Sequence, residues 1–466
     1  MILIKNISLG FRSGRARALA GALAGAFLAG LLSAPSAAQQ APATPPPPAT
    51  DDAPLPERDW SLHGQLTYQL QGHGAFDSPY EGPNSLENRK ETRGSFTSTL
   101  FLGRRLWTGG EAFVNVELIA GQGLSRVLGL AAPPNGETYR VDSTRLKANL
   151  ARLFLRQTFA LDGEGEAQDD GENQLQGRRA ARRIVVTVGK ISVTDVFDGN
   201  AYAHEPRTQF NNWSLWANAA WDYPADTRGY TWGVALELYR DAWAVRLGSF
   251  MEPREANGLE FDHDVSRAHG DVLEVEHRHA LSKRPGAVRV LAYWNHANMG
   301  VYREALDLAP AAPDITTTRA PGRSKYGFGL NLEQEILSGV GIFLRAGWND
   351  GRTESWAFTE VERALALGAI VRGDSWKRPR DLFGMGVALN GINGDHRDYL
   401  AAGGLGFMLG DGALNASTEK VLDAFYRASL ASFAAVTLEV QRYWNPGFNQ
   451  DRGPVTVYGF RLHAEF

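Results

Sequence analysis

The stretch that most constrains the fold is Val455–Phe466, VTVYGFRLHAEF. From Tyr458 onward it alternates without interruption. Tyr458, Phe460, Leu462, Ala464 and Phe466 fall on one face, and Gly459, Arg461, His463 and Glu465 on the other. A period of two is a strand, because successive side chains point to opposite sides of a pleated backbone. Arg, His and Glu on one face exclude a dry core there, while the other face is wholly apolar and ends in an aromatic ring. The arrangement predicts the closing strand of a transmembrane β-barrel, apolar face to lipid and charged face to a water-filled lumen. Tyr458, Phe460, Leu462 and Phe466 would then be the signal that the outer-membrane assembly machinery reads. The competing reading is an ordinary half-buried strand, so the rest of the chain has to decide.

The same alternation recurs. Leu62, Gly64, Leu66, Tyr68 and Leu70 alternate with His63, Gln65, Thr67 and Gln69. Phe96, Leu100 and Leu102 lie against Thr97 and Thr99, and Val114, Val116 and Leu118 against Asn115 and Glu117. Leu153, Leu155 and Phe159 form a fourth apolar face. Further strands are predicted at 183–190, 228–239, 242–250, 271–280, 287–295, 325–335, 341–348, 355–371, 381–389, 418–430, 434–444 and 455–466, sixteen in all. Eighteen remain compatible with the pattern, and 396–409 is read as loop rather than strand. Short connections (108–110, 240–241, 282–286, 337–339, 431–433) mostly alternate with long ones (72–93, 121–149, 191–227, 251–270, 296–323, 390–417, 445–454). Short turns on one rim and long loops on the other belong to a bacterial outer-membrane barrel, and an even strand number returns both ends of the barrel to the short-turn, periplasmic side. Two connections break the rule. Residues 162–182 are long where a turn is due, and 349–353 are short where a loop is due. A soluble β-sandwich needs a dry inner face. Here the second face is repeatedly polar, as at Glu274/Glu276/Arg278, Asn331/Glu333 and Thr437/Glu439/Gln441. Around sixteen strands also enclose an aqueous channel rather than a packed interior.

Upstream, residues 1–38 read as an export leader. Lys5, Arg12, Arg15 and Arg17 precede the apolar run Ala18–Leu32 and the small residues Ser36, Ala37 and Ala38. Residues 39–58 form a Pro-rich flexible spacer, leaving 59–466 as the barrel domain. No other segment supplies the roughly 18 consecutive apolar residues of a membrane-spanning helix. The formal charge of −4 becomes −8 when the leader removes four basic residues and no acidic ones, which argues against nucleic acid as a partner. Cysteine is absent, so disulfides, thiol catalysis and Cys–metal sites are excluded. A barrel hydrolase would need a nucleophile with a positioned base. No G-x-S-x-G occurs, and His204 and His263 read as solvated loop residues. Glu276, His277 and His279 make a poor metal site, because on a strand the glutamate points away from the two imidazoles. Neither a metal nor a cofactor is expected.

The candidate selectivity element is the third long loop, 191–227, between the fifth and sixth strands. Its Trp213, Trp216, Trp221, Tyr202, Tyr223 and Phe210 are interleaved with Asn200, Asn211, Asn212, Asp195, Asp198, His204, Glu205 and Arg207. Aromatic planes beside amides and charges suit a sugar, whose C–H faces stack while its hydroxyls exchange hydrogen bonds. The alternative is that these rings pack the loop against the wall. The segments HGQLTYQLQGHGAFDSPYEGPNSL (63–86), TLFLGRRLWTGGEAFVNVELIAGQGLS (99–125), RTQFNNWSLWANAAWDYPADTRGYTWG (207–233), HRDYLAAGGLGFMLGDGALN (396–415) and NPGFNQDRGPVTVYGFRLHAEF (445–466) resemble the carbohydrate-selective porins (OprB type) of Gram-negative outer membranes. The resemblance implies an all-β, sixteen-strand antiparallel barrel passing monosaccharides by facilitated diffusion, with outer-membrane lipid and small saccharides as partners. It also implies a constriction to which Arg105 or Arg104, Glu117, Asn211, Asn212, Trp213 and Trp216 would contribute; lumen-facing Asn115 and Arg207 of the third long loop are further candidates from their own positions. A channel for other small polar or anionic solutes is the alternative, although an anion channel should be dominated by Arg and Lys. A monomer and a homotrimer are both compatible with the sequence. The spacer and the acidic insertion at 162–172 lie outside the resemblance.

Overall fold

The computed structural model describes residues 57–137 and 143–466. The leader and most of the spacer lie outside the described residues. Sixteen antiparallel strands form one closed barrel, each hydrogen-bonded to the next in sequence, with the last returning to the first. They are β1 (Trp60–His73), β2 (Glu91–Trp107), β3 (Gly110–Gly121), β4 (Ser143–Gln168), β5 (Gly177–Ile191), β6 (Thr231–Arg240), β7 (Trp243–Met251) and β8 (His269–Leu281). The other half comprises β9 (Arg284–Ala297), β10 (Arg323–Leu337), β11 (Val340–Asn349), β12 (Arg363–Gly373), β13 (Arg378–Gly391), β14 (Glu419–Ala431), β15 (Ala434–Trp444) and β16 (Val455–Glu465). Three short helices sit in the long loops: α1 (Trp213–Trp216), α2 (Tyr302–Leu308) and α3 (Gly394–Ala401). The segment 396–409 is indeed not a strand; α3 occupies its first half.

Alternation decides which face each side chain takes. Leu62, Leu70, Leu100, Leu102, Leu153 and Leu236 stand exposed on the outer wall, while Gln65, Thr67, Gln69, Thr97, Thr99 and Glu117 are buried inside. The inner residues bond to one another across strands, as where Gln65 donates to Thr99 at 2.9 Å, and along them, as where Thr67 donates to Gln65 at 2.8 Å. Exposed Trp60, Trp107, Trp243 and Phe433 mark the short-turn rim. Trp232, Trp294, Tyr326, Trp348 and Trp444 mark the other, giving the two aromatic girdles of a membrane barrel.

The closing seam pairs Gln65 with Glu465 and Tyr68 with Leu462. The backbones of Gly64 and Phe466 exchange two hydrogen bonds of 3.0 Å. A Cβ at Gly64 would stand 2.6 Å from the Phe466 ring, so glycine is what lets that ring lie flat across the seam. Tyr458 and Phe460 face outward, while Arg461 and His463 face inward, in the alternation that the sequence predicts.

Two expectations require correction. The strand expected at 355–371 begins only at Arg363, and 350–362 is a long connection that folds into the lumen. Trp356, Ala357 and Phe358 are apolar because they pack beneath other loops, not because they face lipid. The connection expected across 162–182 is largely strand, since β4 runs to Gln168 and β5 starts at Gly177. Bulges between Ala160 and Gly165 displace the register there. With both changes made, long loops alternate with shorter turns around the whole barrel.

Candidate functional site

Three long loops turn inward: the described part of the β3–β4 loop, the β5–β6 loop and the β11–β12 loop. The β5–β6 loop is held by side chains from around the inner wall. Arg345 of β11 donates to both Asp198 carboxylate oxygens at 3.1 Å, to the Asp198 carbonyl at 3.0 Å and to the carbonyls of Ala203 at 2.5 Å and Leu215 at 2.8 Å. Arg461 of β16 donates to the carbonyls of Pro206 and Gln209. Lys325 of β10 reaches Asp222 at 3.0 Å, and Asp222 also receives the backbone N–H groups of Trp356 and Ala357. Charges taken from water must be paired and hydrogen-bonded to be tolerated, and the Arg345–Asp198 and Lys325–Asp222 pairs fix loop to wall.

The predicted site residues fall into three groups. Asn211 and Asn212 are anchors. Asn211 donates to Gln69 at 2.7 Å, while Asn212 donates to Gln441 at 3.0 Å and Tyr443 at 2.6 Å and caps α1 by accepting from the Ser214 N–H at 3.1 Å. Their amides are engaged in holding the loop and leave nothing for a solute. Asn115 faces inward, but it stands apart from the main cavity, and both polar atoms of its side chain are buried without a partner. Arg105 faces inward and lines the short-turn end of the main cavity, bonded to Glu57 and to the Gln176 carbonyl. Arg104 is exposed at the same rim and borders the cavity mouth.

Glu117, Arg207, Trp213 and Trp216 do come together, around one cavity of about 1020 Å³. Arg207 donates to Glu137 at 2.9 Å, and Tyr230 donates to Glu117 at 3.1 Å. Although burial works against its charge, the carboxylates of Glu137, Glu205 and Glu172 hold the Arg207 guanidinium well above its ordinary range. Burial, then the charge of Glu117, pushes the Tyr230 phenol up, so it remains a donor. Arg152 forms two 2.6 Å bonds with Asp195. Burial and nearby Arg345 push His204 down, so its imidazole is neutral.

Above these polar groups lies an aromatic shelf. Phe358 stacks between Trp213, at 4.9 Å and 12°, and Tyr223, at 4.6 Å and 25°. Trp216 meets Trp213 edge-on at 5.0 Å, because the short helical turn α1 brings residues three apart to one side. Trp213 is 4 % exposed and Trp216 6 %, so the shelf offers ring edges rather than open faces. The packing role of these rings is therefore larger than their spacing suggests. Sequence reading missed Glu137, Arg152, Tyr230 and Phe358. They come from separate elements, and only the fold assembles them.

Among the described residues, nine arginines, nine carboxylates and no lysine line the cavity. Counted over the whole lining, neither sign is in excess, unlike a predominantly cationic or anionic lumen. The profile of the carbohydrate-selective porin, OprB family, matches residues 84–466. The chain belongs to that family. No protein with a curated description matches it. Among solved structures, the porin is similar to OprB of Pseudomonas putida at 15 % identity and a TM-score of 0.65, over 88 % of this chain and 94 % of that one. It is also similar to the outer-membrane channel DcaP of Acinetobacter baumannii at 8 % identity and a TM-score of 0.49, over 88 % and 97 %. The likeness to OprB establishes the fold. Family and fold together make the chain an outer-membrane channel, with the long loops outside the cell and the short turns in the periplasm.

Proposed function

We propose that this porin passes neutral monosaccharides by facilitated diffusion, and that Arg152, Arg207, Glu117, Glu137 and Tyr230 are the polar contacts while Trp213 and Trp216 supply an apolar edge. The observation that carries the reading is the matched count of arginines and carboxylates around a cavity roofed by aromatic rings. Each sugar hydroxyl can donate to a carboxylate and accept from a guanidinium, so a ring of alternating partners replaces the water that the sugar sheds. A charged solute of the same size meets one unfavourable partner for each favourable one.

In liposome swelling, glucose should enter faster than a sugar acid or an amino sugar of similar size. Faster entry of either charged sugar would refute the reading. Trp216→Ala should weaken sugar block of ion current by about fivefold, the equivalent of roughly 1 kcal/mol for an aromatic contact. Open-channel conductance should stay level or rise, because the substitution also removes volume. If sugar block is unchanged in both Trp213→Ala and Trp216→Ala, the rings pack the loop and recognition lies with the polar ring alone.

A further inference from the structure

The β4–β5 hairpin is the feature that the family resemblance leaves unexplained. A turn facing the periplasm would be expected to hang in water, but this one folds back under the barrel. Asp170 pairs with inward-facing His63 of β1 at 3.2 Å and with Arg58 at 3.2 Å. Arg156 of β4 donates to the Asn173 carbonyl at 2.9 Å, and Arg105 of β2 donates to the Gln176 carbonyl at 3.4 Å. The turn therefore reaches from β4 and β5 across the mouth to β1. Leu175 is fully buried in the cluster that includes Phe113 and Phe154. The tip is also internally tied, Gly171 and Gln174 exchanging backbone bonds of 3.1 Å and Gln168 donating to the Leu175 carbonyl at 2.8 Å. It is held as a fixed body rather than a loose loop.

Most of its charges serve that attachment. Arg182 pairs with Asp162 and Asp241, and Arg179 and Arg183 pair with Glu166. Glu172 is not engaged in this way. It lines the cavity, open to cavity water, where it feels the charges of Arg207, Glu205, Glu465 and Arg152.

We propose that residues 169–176 form a second, periplasmic-side constriction, in which Glu172 is a specificity-determining residue that disfavours anions and limits solute size from below. This rests on the reading of the cavity as a path for small polar solutes. The pore would then be pinched between two elements of opposite origin, the β5–β6 loop from outside and this hairpin from the periplasm. A carboxylate in a narrow passage favours cations over anions.

Because the chain has no cysteine, Glu172→Cys gives a single thiol in an otherwise unaltered barrel. In planar bilayers, a cationic thiol reagent added from the periplasmic side should reduce its current irreversibly. The cation-to-anion permeability ratio should fall about twofold or more relative to wild type. Asp162→Cys, on the exposed outer part of the hairpin, should show neither effect. Replacing 169–175 with two glycines should raise conductance and admit larger saccharides in swelling assays, in barrels that retain heat-modifiable mobility. The proposal is overturned if modified Glu172→Cys channels conduct and select as wild type does, whether or not the deletion folds. It is equally overturned if a folded deletion keeps the wild-type size limit. Sugar block measured on the same channels separates the two readings: its absence in wild type, with the thiol effect present, removes the sugar reading and leaves the hairpin.

Discussion

Replacing Arg345 with Met would keep the aliphatic stem and remove the guanidinium that holds the β5–β6 loop. The side chain is fully buried and donates to the Asp198 carboxylate, to its carbonyl and to two further carbonyls. Removing one partner of a buried pair costs about 3–5 kcal/mol, mostly because the other charge is stranded. Asp198 would not be wholly stranded, since Asn331 still donates to it at 2.6 Å and the Asn218 N–H at 2.8 Å. The lower end, about 3 kcal/mol, is therefore expected, which raises the population of a released loop by roughly two decades. Release would be partial, because Arg461 and Lys325 hold other points of the same loop. Single-channel recordings of Arg345→Met should show noisier open states and excursions to higher conductance, and trypsin should cut at Arg207 on intact cells. Adding Asp198→Asn should recover much of the loss, because it removes the stranded charge; such recovery is the signature of coupled sites. Quiet channels of wild-type conductance in Arg345→Met, with the loop still protected, would refute the idea that this pair fixes the loop.

Two further outcomes are expected. Phe466→Asp should lower the amount of folded barrel in the membrane, and Gly64→Val should do the same, since its side chain would collide with the Phe466 ring; heat-modifiable mobility on gels reads both, and wild-type levels in both would exclude the seam as a determinant of assembly. The protein surrounding the lumen disfavours the charge on Glu172 and pushes its carboxyl up to about 7, with Arg207 pulling it back. Because this group is raised, it is charged only above that pH, so cation preference should fall as pH drops through about 7, and the step should be missing in Glu172→Gln. A step that survives that substitution would have to come from Glu205 or Glu465, the other acids facing Glu172.

The barrel wall was legible because lipid on one side and water on the other impose alternation on every strand, and β1, β3 and β16 show it residue by residue. Reading failed where that pairing of environments failed. The segment 355–362 looked like strand because Trp356 and Phe358 are apolar, yet both are buried among loops. Residues 162–168 looked like loop because they are acidic and glycine-rich, yet they pair with β5 beyond the part of the wall that requires an apolar face. Asn211 and Asn212 looked like sugar contacts by residue type. Whether an amide meets a solute or a wall residue depends on what the fold places opposite it, and opposite these lie Gln69, Gln441 and Tyr443.

The seam between β1 and β16 makes the ring a check on completeness. His63 and Phe466 are in contact across 403 residues of chain, so closure is the longest-range event in folding and comes late when loop entropy governs the order. A chain cut anywhere short of Val455 would leave β1 and the last remaining strand as two bare edges, each a row of unpaired N–H and C=O groups. Such edges are not tolerated against lipid. A truncated copy would therefore be barred from the bilayer by its own hydrogen-bonding requirement, and would remain on the periplasmic side as a substrate for proteolysis or aggregation.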